Sequence, residues 1–226
     1  MRVLCTRIPG AHKRGAPLDV DRQSRRRRRT EDAIILAAAE LFVRHGYSKT
    51  SITDVAMRAD VAERTIYLRF GTKVRLFQRV IEFSVVGDAE AIPLTERPWS
   101  VIAFTAPTLR ERVVAFAEGV GEMNERLAPL MAVNGEVEMA EPDVQESARK
   151  WRNDTVEFLQ AFWRQAAADA LLPPESDVEW LAETGMVLSA AESRLLITRS
   201  LQWDRATYSQ WLVTTWLRLA GVSTSL

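Results

Sequence analysis

Apolar residues first fall into a helical rhythm after Thr30. Ile34, Ile35, Ala38, Leu41 and Phe42 recur three and four positions apart, which puts them on one face of a helix. Thr30 is the expected N-cap, Glu31 and Asp32 stand in the first turn where the helix dipole favours acids, and Gly46 is the expected stop. His45, in the last turn, is positioned to meet free carbonyls rather than a metal. A second helix starts after Thr50 or Ser51, with Ile52, Val55 and Ala56 facing inward and Asp54 placed to complete a capping box. Asp60, Val61 and Ala62 form a turn, residues 63–70 a third helix ended by Gly71, and Thr72 caps a fourth that carries Val74, Leu76, Phe77, Val80, Ile81 and Phe83. Short helices on short connections, over residues 30–85, are a helix-turn-helix layout.

The flanks follow other rules. Pro9, Gly10, Gly15 and Pro17 interrupt any period in the leader, so residues 1–29 are expected to be a flexible basic arm. Gly87, Pro93, Pro98 and Pro107 mark the connection to a second domain, residues 86–226, with one short turn around Trp99 to Phe104. Helical spacing then resumes over residues 109–127, ended by Pro129. An irregular piece over 128–138 follows, then a long helix over 143–170 closed by Pro173 and Pro174, and two more over 177–198 and 204–220. Strand-like alternation appears nowhere. The fold class is therefore all-α: an N-terminal three-helix helix-turn-helix domain and a C-terminal helical domain for ligand binding and dimerisation.

The formal net charge of zero conceals a gradient. Residues 1–30 hold ten Lys and Arg against two acids, residues 31–85 eight against seven, and residues 86–226 twelve against twenty-one. A basic end joined to an acidic body suits a protein that approaches phosphate with one end only. The single cysteine, Cys5, forms no internal disulfide, and the chain carries neither an apolar signal-peptide core nor a bilayer-length apolar run, so a cytoplasmic location without membrane contact is expected.

One stretch identifies a relative. Residues 33–77, AIILAAAELFVRHGYSKTSITDVAMRADVAERTIYLRFGTKVRLF, resemble the DNA-binding domain of the TetR family of regulators in the order, spacing and chemistry of three motifs: AxxLFxxHGY, TSIxDVA and TIYxxFxTKxxLF. The resemblance implies a regulator that binds a double-stranded DNA operator as a homodimer, commonly as a repressor, and it implies DNA contacts from Thr50, Thr65, Tyr67 and Lys73. Two positions depart from the family pattern. Ala62 stands where a capping Ser is usual, and Arg64 stands where Gly is common.

Physical reasoning nominates the same surface. The second helix of a helix-turn-helix lies in the major groove, which makes Glu63, Arg64, Thr65 and Leu68 candidates for base edges, Arg64 for guanine and Glu63 for cytosine. Thr50, Ser51, Tyr67, Arg69 and Lys73 are placed for phosphates. The run Arg25, Arg26, Arg27, Arg28 and Arg29 is expected to thread the adjacent minor groove as a flexible arm.

In the body, the apolar rows Leu181, Leu188, Leu195 and Tyr208, Trp211, Leu212, Thr215, Trp216 suggest a four-helix bundle between two copies. Trp99, Phe104, Phe116, Met123, Met131, Trp151, Phe158 and Phe162 are candidates to line an apolar cavity for an unknown small-molecule effector. A body controlled by a protein partner, with no small ligand, is the alternative. No phosphate loop, nucleophile motif or Cys/His cluster is present, so neither enzyme activity, a cofactor nor a metal is expected.

Overall fold

The computed structural model describes residues 18–87 and 92–222, with side chains from residue 24 onward. Among the described residues there is no strand. Helix α1 runs Leu18–His45, 28 residues long, and presents Ile34, Ile35, Ala38 and Phe42 to the interior at no more than 1% exposure. It begins well before the expected cap. Thr30 is interior to the helix, its hydroxyl donating to the Arg26 carbonyl at 3.0 Å, and residues 18–29 are helical where a flexible arm was expected; residues 1–17 lie outside the described residues. Neither glycine nor proline interrupts residues 18–45, arginine is a good helix former, and like-charge repulsion on a helix costs only a few tenths of a kcal/mol per pair. The stop is as expected: Gly46, at φ +82°, donates its N–H to Phe42 O at 2.9 Å.

Helices α2 (Ile52–Arg58), α3 (Glu63–Phe70) and α4 (Lys73–Val86) complete, with α1, the N-terminal helix-turn-helix unit, termed the reader for the role the sequence leads one to expect of it. Ser51 accepts from Asp54 N at 3.0 Å while Asp54 accepts from Ser51 N at 2.9 Å, so the capping box is closed. Thr72 caps α4 through Arg75 N. At the centre, Phe42, Tyr47 and Phe77 form a triangle with ring centroids 5.4–5.6 Å apart.

After a 3-10 turn (Leu94–Glu96) the body consists of α5 (Pro98–Thr105), α6 (Leu109–Ala140), α7 (Pro142–Ala168), α8 (Val178–Ser189), α9 (Ala191–Leu201) and α10 (Arg205–Leu219). Two expected boundaries moved. Pro129 sits inside α6 instead of ending it. A mid-helix proline costs about 3 kcal/mol, and burial of Leu127, Ala128, Leu130, Met131 and Val133 on both sides of it outweighs that. Conversely, the helix expected over 177–198 is two helices. Ala190, at ψ 144°, breaks it, and the freed carbonyls find distant partners: Asn124 Nδ2 donates to Ser189 O at 2.7 Å and Tyr208 Oη to Leu188 O at 3.1 Å.

Two cores result, and the boundary between them is not at residue 86. The first joins the reader to Leu127, Leu130, Met131, Val133 and Val137 of α6, Val144 of α7 and Ala191 of α9. The second lies wholly within the body, between α5, the first half of α6, α7, α8 and α10.

Candidate nucleic-acid interface and sensing core

Helix α3 is two-faced because its apolar residues are four apart. Ile66 and Phe70 are buried, and Glu63, Arg64, Tyr67 and Leu68 point outward, Leu68 with 76% of its surface exposed. Thr65 is half-buried between the two faces. Ala62 is the N-cap residue and supplies no side-chain bond; Asp60, at φ +53°, does not replace it. The outward face thus offers a guanidinium, a carboxylate, a phenol and an isobutyl group on two turns of helix, with backbone N–H groups at its start.

The flanking candidates divide. Ser51 is exposed at the start of α2, with its hydroxyl engaged in the capping box. Thr50 does not face solvent as expected. It is 2% exposed, and its hydroxyl sits 2.8 Å from Gly46 O and 3.2 Å from Leu41 O, tying α2 to the end of α1. Arg69 is paired as well, 3.9 Å from Glu31 of α1, whose other oxygen takes Arg79 of α4 at 3.4 Å. Lys73 carries its ammonium 4.2 Å above the Tyr47 ring. Desolvation lowers its pKa, partly offset by Glu136 and Glu141 of the body, and burial with Glu141 nearby pushes Tyr47 up to about 12. Sequence reasoning missed this corner entirely. Ser48 donates to Glu136, and Gln78 reaches Asp143 O and Ser147 Oγ at 3.2 Å each, so the α6–α7 corner is bonded directly to the reader.

In the body, Trp99, Phe104, Phe116, Phe158 and Phe162 form one aromatic cluster with neighbouring centroids 5.2–6.4 Å apart, while Met123 is half-buried and packs against both cores. Gly119 makes room for it: a Cβ there would overlap the Trp99 ring. Met131 and Trp151, expected in the same place, belong instead to the core shared with the reader. The cluster continues through Trp216, 4.9 Å from Phe116, and Trp163, 4.8 Å from Phe162. The indole N–H of each is buried without a hydrogen-bond partner, as are Ser100 Oγ and Asn124 Oδ1. At one end, Arg112, 4% exposed, donates to Ala106 O at 2.7 Å and Asp169 at 2.5 Å. Hydrogen bonds from Gln165 and from Arg112 lower the Asp169 pKa.

The expected pairing rows are also redistributed. Leu181, Tyr208, Leu212 and Trp216 are 0–2% exposed inside their own subunit, while Leu188, Leu195, Trp211 and Thr215 are only half-buried. The outward apolar residues of α8 and α9 are Trp180, Val187, Leu196 and Leu201, 46–65% exposed. Trp180 and Val187 stand seven apart, a spacing that identifies a shared helix face but not whether it looks inward or outward.

A short outward-facing helix mounted on a three-helix unit, with a larger helical body behind it, defines a helix-turn-helix protein. Residues 34–80 match the family described as bacterial regulatory proteins, tetR family. Over 52 residues the chain is 36% identical to the HTH-type transcriptional repressor BepR of Brucella suis, a match covering 23% of this chain and 25% of that protein, so it spans only a quarter of the relative's length. Two solved structures share the fold along most of the chain. NalD, the secondary repressor of the MexAB-OprM multidrug efflux pump in Pseudomonas aeruginosa, aligns with a TM-score of 0.61 at 22% identity, over 85% of this chain and 96% of its own. SmeT, solved as a complex with triclosan, aligns at 0.63 and 15% identity, over 84% and 90%. The family match thus covers the helix-turn-helix unit, residues 34–80, while the fold along most of the chain is the one these two solved structures share. No helix among the described residues is long and apolar enough to cross a membrane.

Proposed function

We propose that the chain is a dimeric transcriptional repressor that reads a pseudo-palindromic operator through α3 and lets go when a small, largely apolar ligand enters the aromatic core of the body. The observation that carries this reading is the outward face of α3. Arg64, Glu63, Tyr67 and Leu68 are exposed together while Ile66 and Phe70 anchor the helix, an arrangement with little purpose for folding and direct use in a major groove. Lys73 beside it supplies charge for a phosphate. One short helix reads few base pairs, so a second copy is needed, and the exposed apolar residues Trp180 and Val187 of α8 and Leu196 and Leu201 of α9 are the candidates to meet it.

Ligand control rests on the chemistry of the second core. Its rings pack directly on one another, so an apolar guest would have to part them, and the unpartnered indole N–H groups and Ser100 hydroxyl would then bond a polar atom on that guest. The relative solved with triclosan is consistent with such a guest. The signal would pass through the core that α6 shares with the reader and through the Ser48–Glu136 and Gln78–Asp143 contacts, because a shift of α6 cannot leave the reader in place. Selection of bound duplexes from a random pool tests the reading: an inverted repeat with half-site centres about one helical turn apart, ~34–36 Å, is expected, and failure to enrich any repeat would sink it.

A further inference from the structure

We propose that the N-terminal part of α1 is a rigid cationic strut that grips backbone phosphates of duplex DNA outside the bases that α3 reads. This rests on the DNA-binding reading above and replaces the flexible minor-groove arm expected from the sequence. Three observations carry it.

The first is continuity. Arg25 to Arg29 are exposed and lie on the same unbroken helix as Ile34, Ile35, Ala38 and Phe42, which are fixed in the reader core. The second is a pinned base. Glu31, two residues after the arginine run, pairs with Arg69 of α3 at 3.9 Å and Arg79 of α4 at 3.4 Å, so α1 is tied to the recognition helix immediately beside the run. The third is girth. A helix with side chains is about 10–12 Å across, whereas the minor groove of B-DNA is about 6 Å wide, so a helical Arg25–Arg29 does not thread that groove as an extended arm does. Successive helical residues turn about 100°, so five consecutive arginines surround the axis and at any rotation some face a sugar-phosphate strand.

The same distribution argues against a membrane surface, because no apolar residue occurs from Ser24 to Arg29 and an interfacial helix needs an apolar face. The arginine run, Arg25 to Arg29, spans about 7.5 Å of helix, equal to roughly two base pairs at ~3.4 Å each.

The test compares the full chain with a variant carrying Gln at positions 26–29, a residue nearly as helix-favouring as arginine, on the duplex selected with the unaltered protein. With two or three phosphates contacted per subunit, the slope of log K against log salt should shrink by about 2–3 per subunit, at about 0.9 per phosphate, with the preferred sequence unchanged. Hydroxyl-radical protection should retreat by about two base pairs on each flank. A second variant, Thr30→Pro, breaks the strut from the reader and keeps every arginine; it should lose the same flanking protection, whereas a flexible arm would keep it. An unchanged slope and footprint in the glutamine variant, with the operator still bound, would overturn the strut and leave the α3 reading standing. Protection of adenine N3 in the flanking minor groove that is lost in the glutamine variant would overturn it in favour of a threading arm. If the unaltered protein selects no duplex at all, the reading beneath the strut fails with it.

Discussion

The two cores of this protein are built to different standards. In the core shared by the reader and α6, the buried polar side chains are matched: Thr50 bonds to Gly46 O and Leu41 O, and Ser84 to Val80 O at 2.8 Å. In the core confined to the body, Ser100 Oγ, Asn124 Oδ1, Trp163 Nε1 and Trp216 Nε1 are all buried without a partner, and Arg112 and Arg194 each leave one guanidinium nitrogen unmatched. An unpartnered buried polar group costs about 1–3 kcal/mol. On the proposed function this difference has a use: the core that positions α3 is matched, whereas in the body a guest that satisfies the unmatched groups would recover their free energy on binding.

The largest break in this contrast comes from the matched core. Phe42→Ala removes one corner of the Phe42, Tyr47, Phe77 triangle, where each ring is edge-on or tilted to the other two. A loss of about 3–5 kcal/mol is expected. Because that core includes residues of α6, α7 and α9, denaturant titration followed by circular dichroism should show one cooperative transition at a lower midpoint. Two separated transitions would mean that the reader folds apart from the body.

A smaller effect sharpens the point at a single hydroxyl. Thr50→Val keeps the shape and removes both bonds, leaving Gly46 O and Leu41 O to be satisfied otherwise. About 1–3 kcal/mol of stability should be lost in the same titration. Once loss of fold is excluded, the affinity for DNA should be unaltered, since the hydroxyl is buried and already bonded to two carbonyls. A weaker affinity for every duplex would return Thr50 to the DNA contacts.

How far the sequence could be read follows from where each signal lives. The capping box of Ser51 and Asp54, the cap Thr72 and the stop at Gly46 are local, and the structure has each where the pattern put it. So is the two-faced pattern of α3. What failed was decided elsewhere in the chain. The break at Ala190 exists because Asn124, 65 residues before Ser189, and Tyr208, 20 residues after Leu188, accommodate its carbonyls. Pro129 is tolerated because α6 is buried on both sides of it. Periodicity located the rows containing Leu181, Tyr208, Leu212 and Trp216, but it carries no information on whether an apolar row meets its own subunit or another. Thr50 has the same ambiguity on the scale of one residue: only the positions of two α1 carbonyls show that it turns inward. Met131 and Trp151 were drawn into the sensing set because a buried aromatic or thioether reads alike in either core.

The smallest expected effect is the most discriminating. Ser100 lies on α5, fully buried, with its hydroxyl unpartnered, in the helix that carries Trp99 and Phe104 into the aromatic cluster. Ser100→Ala deletes a polar atom that makes no bond and leaves a void no larger than an oxygen. If the body's core tolerates unmatched groups for the sake of a guest, stability should stay level or rise by up to about 1 kcal/mol, the reverse of Thr50→Val. A loss comparable with that of Thr50→Val would mean that Ser100 is already satisfied in solution and that the two cores obey one rule. The guest provides the second half of the measurement. With an apolar compound that releases the unaltered protein from its operator, the Ala variant should need more of that compound if Ser100 bonds it. An unchanged release curve would shift the polar contact to the indole N–H groups of Trp163 and Trp216, which lie on the far side of Phe116 and Phe162 from Trp99 and Phe104 in the chain of ring contacts.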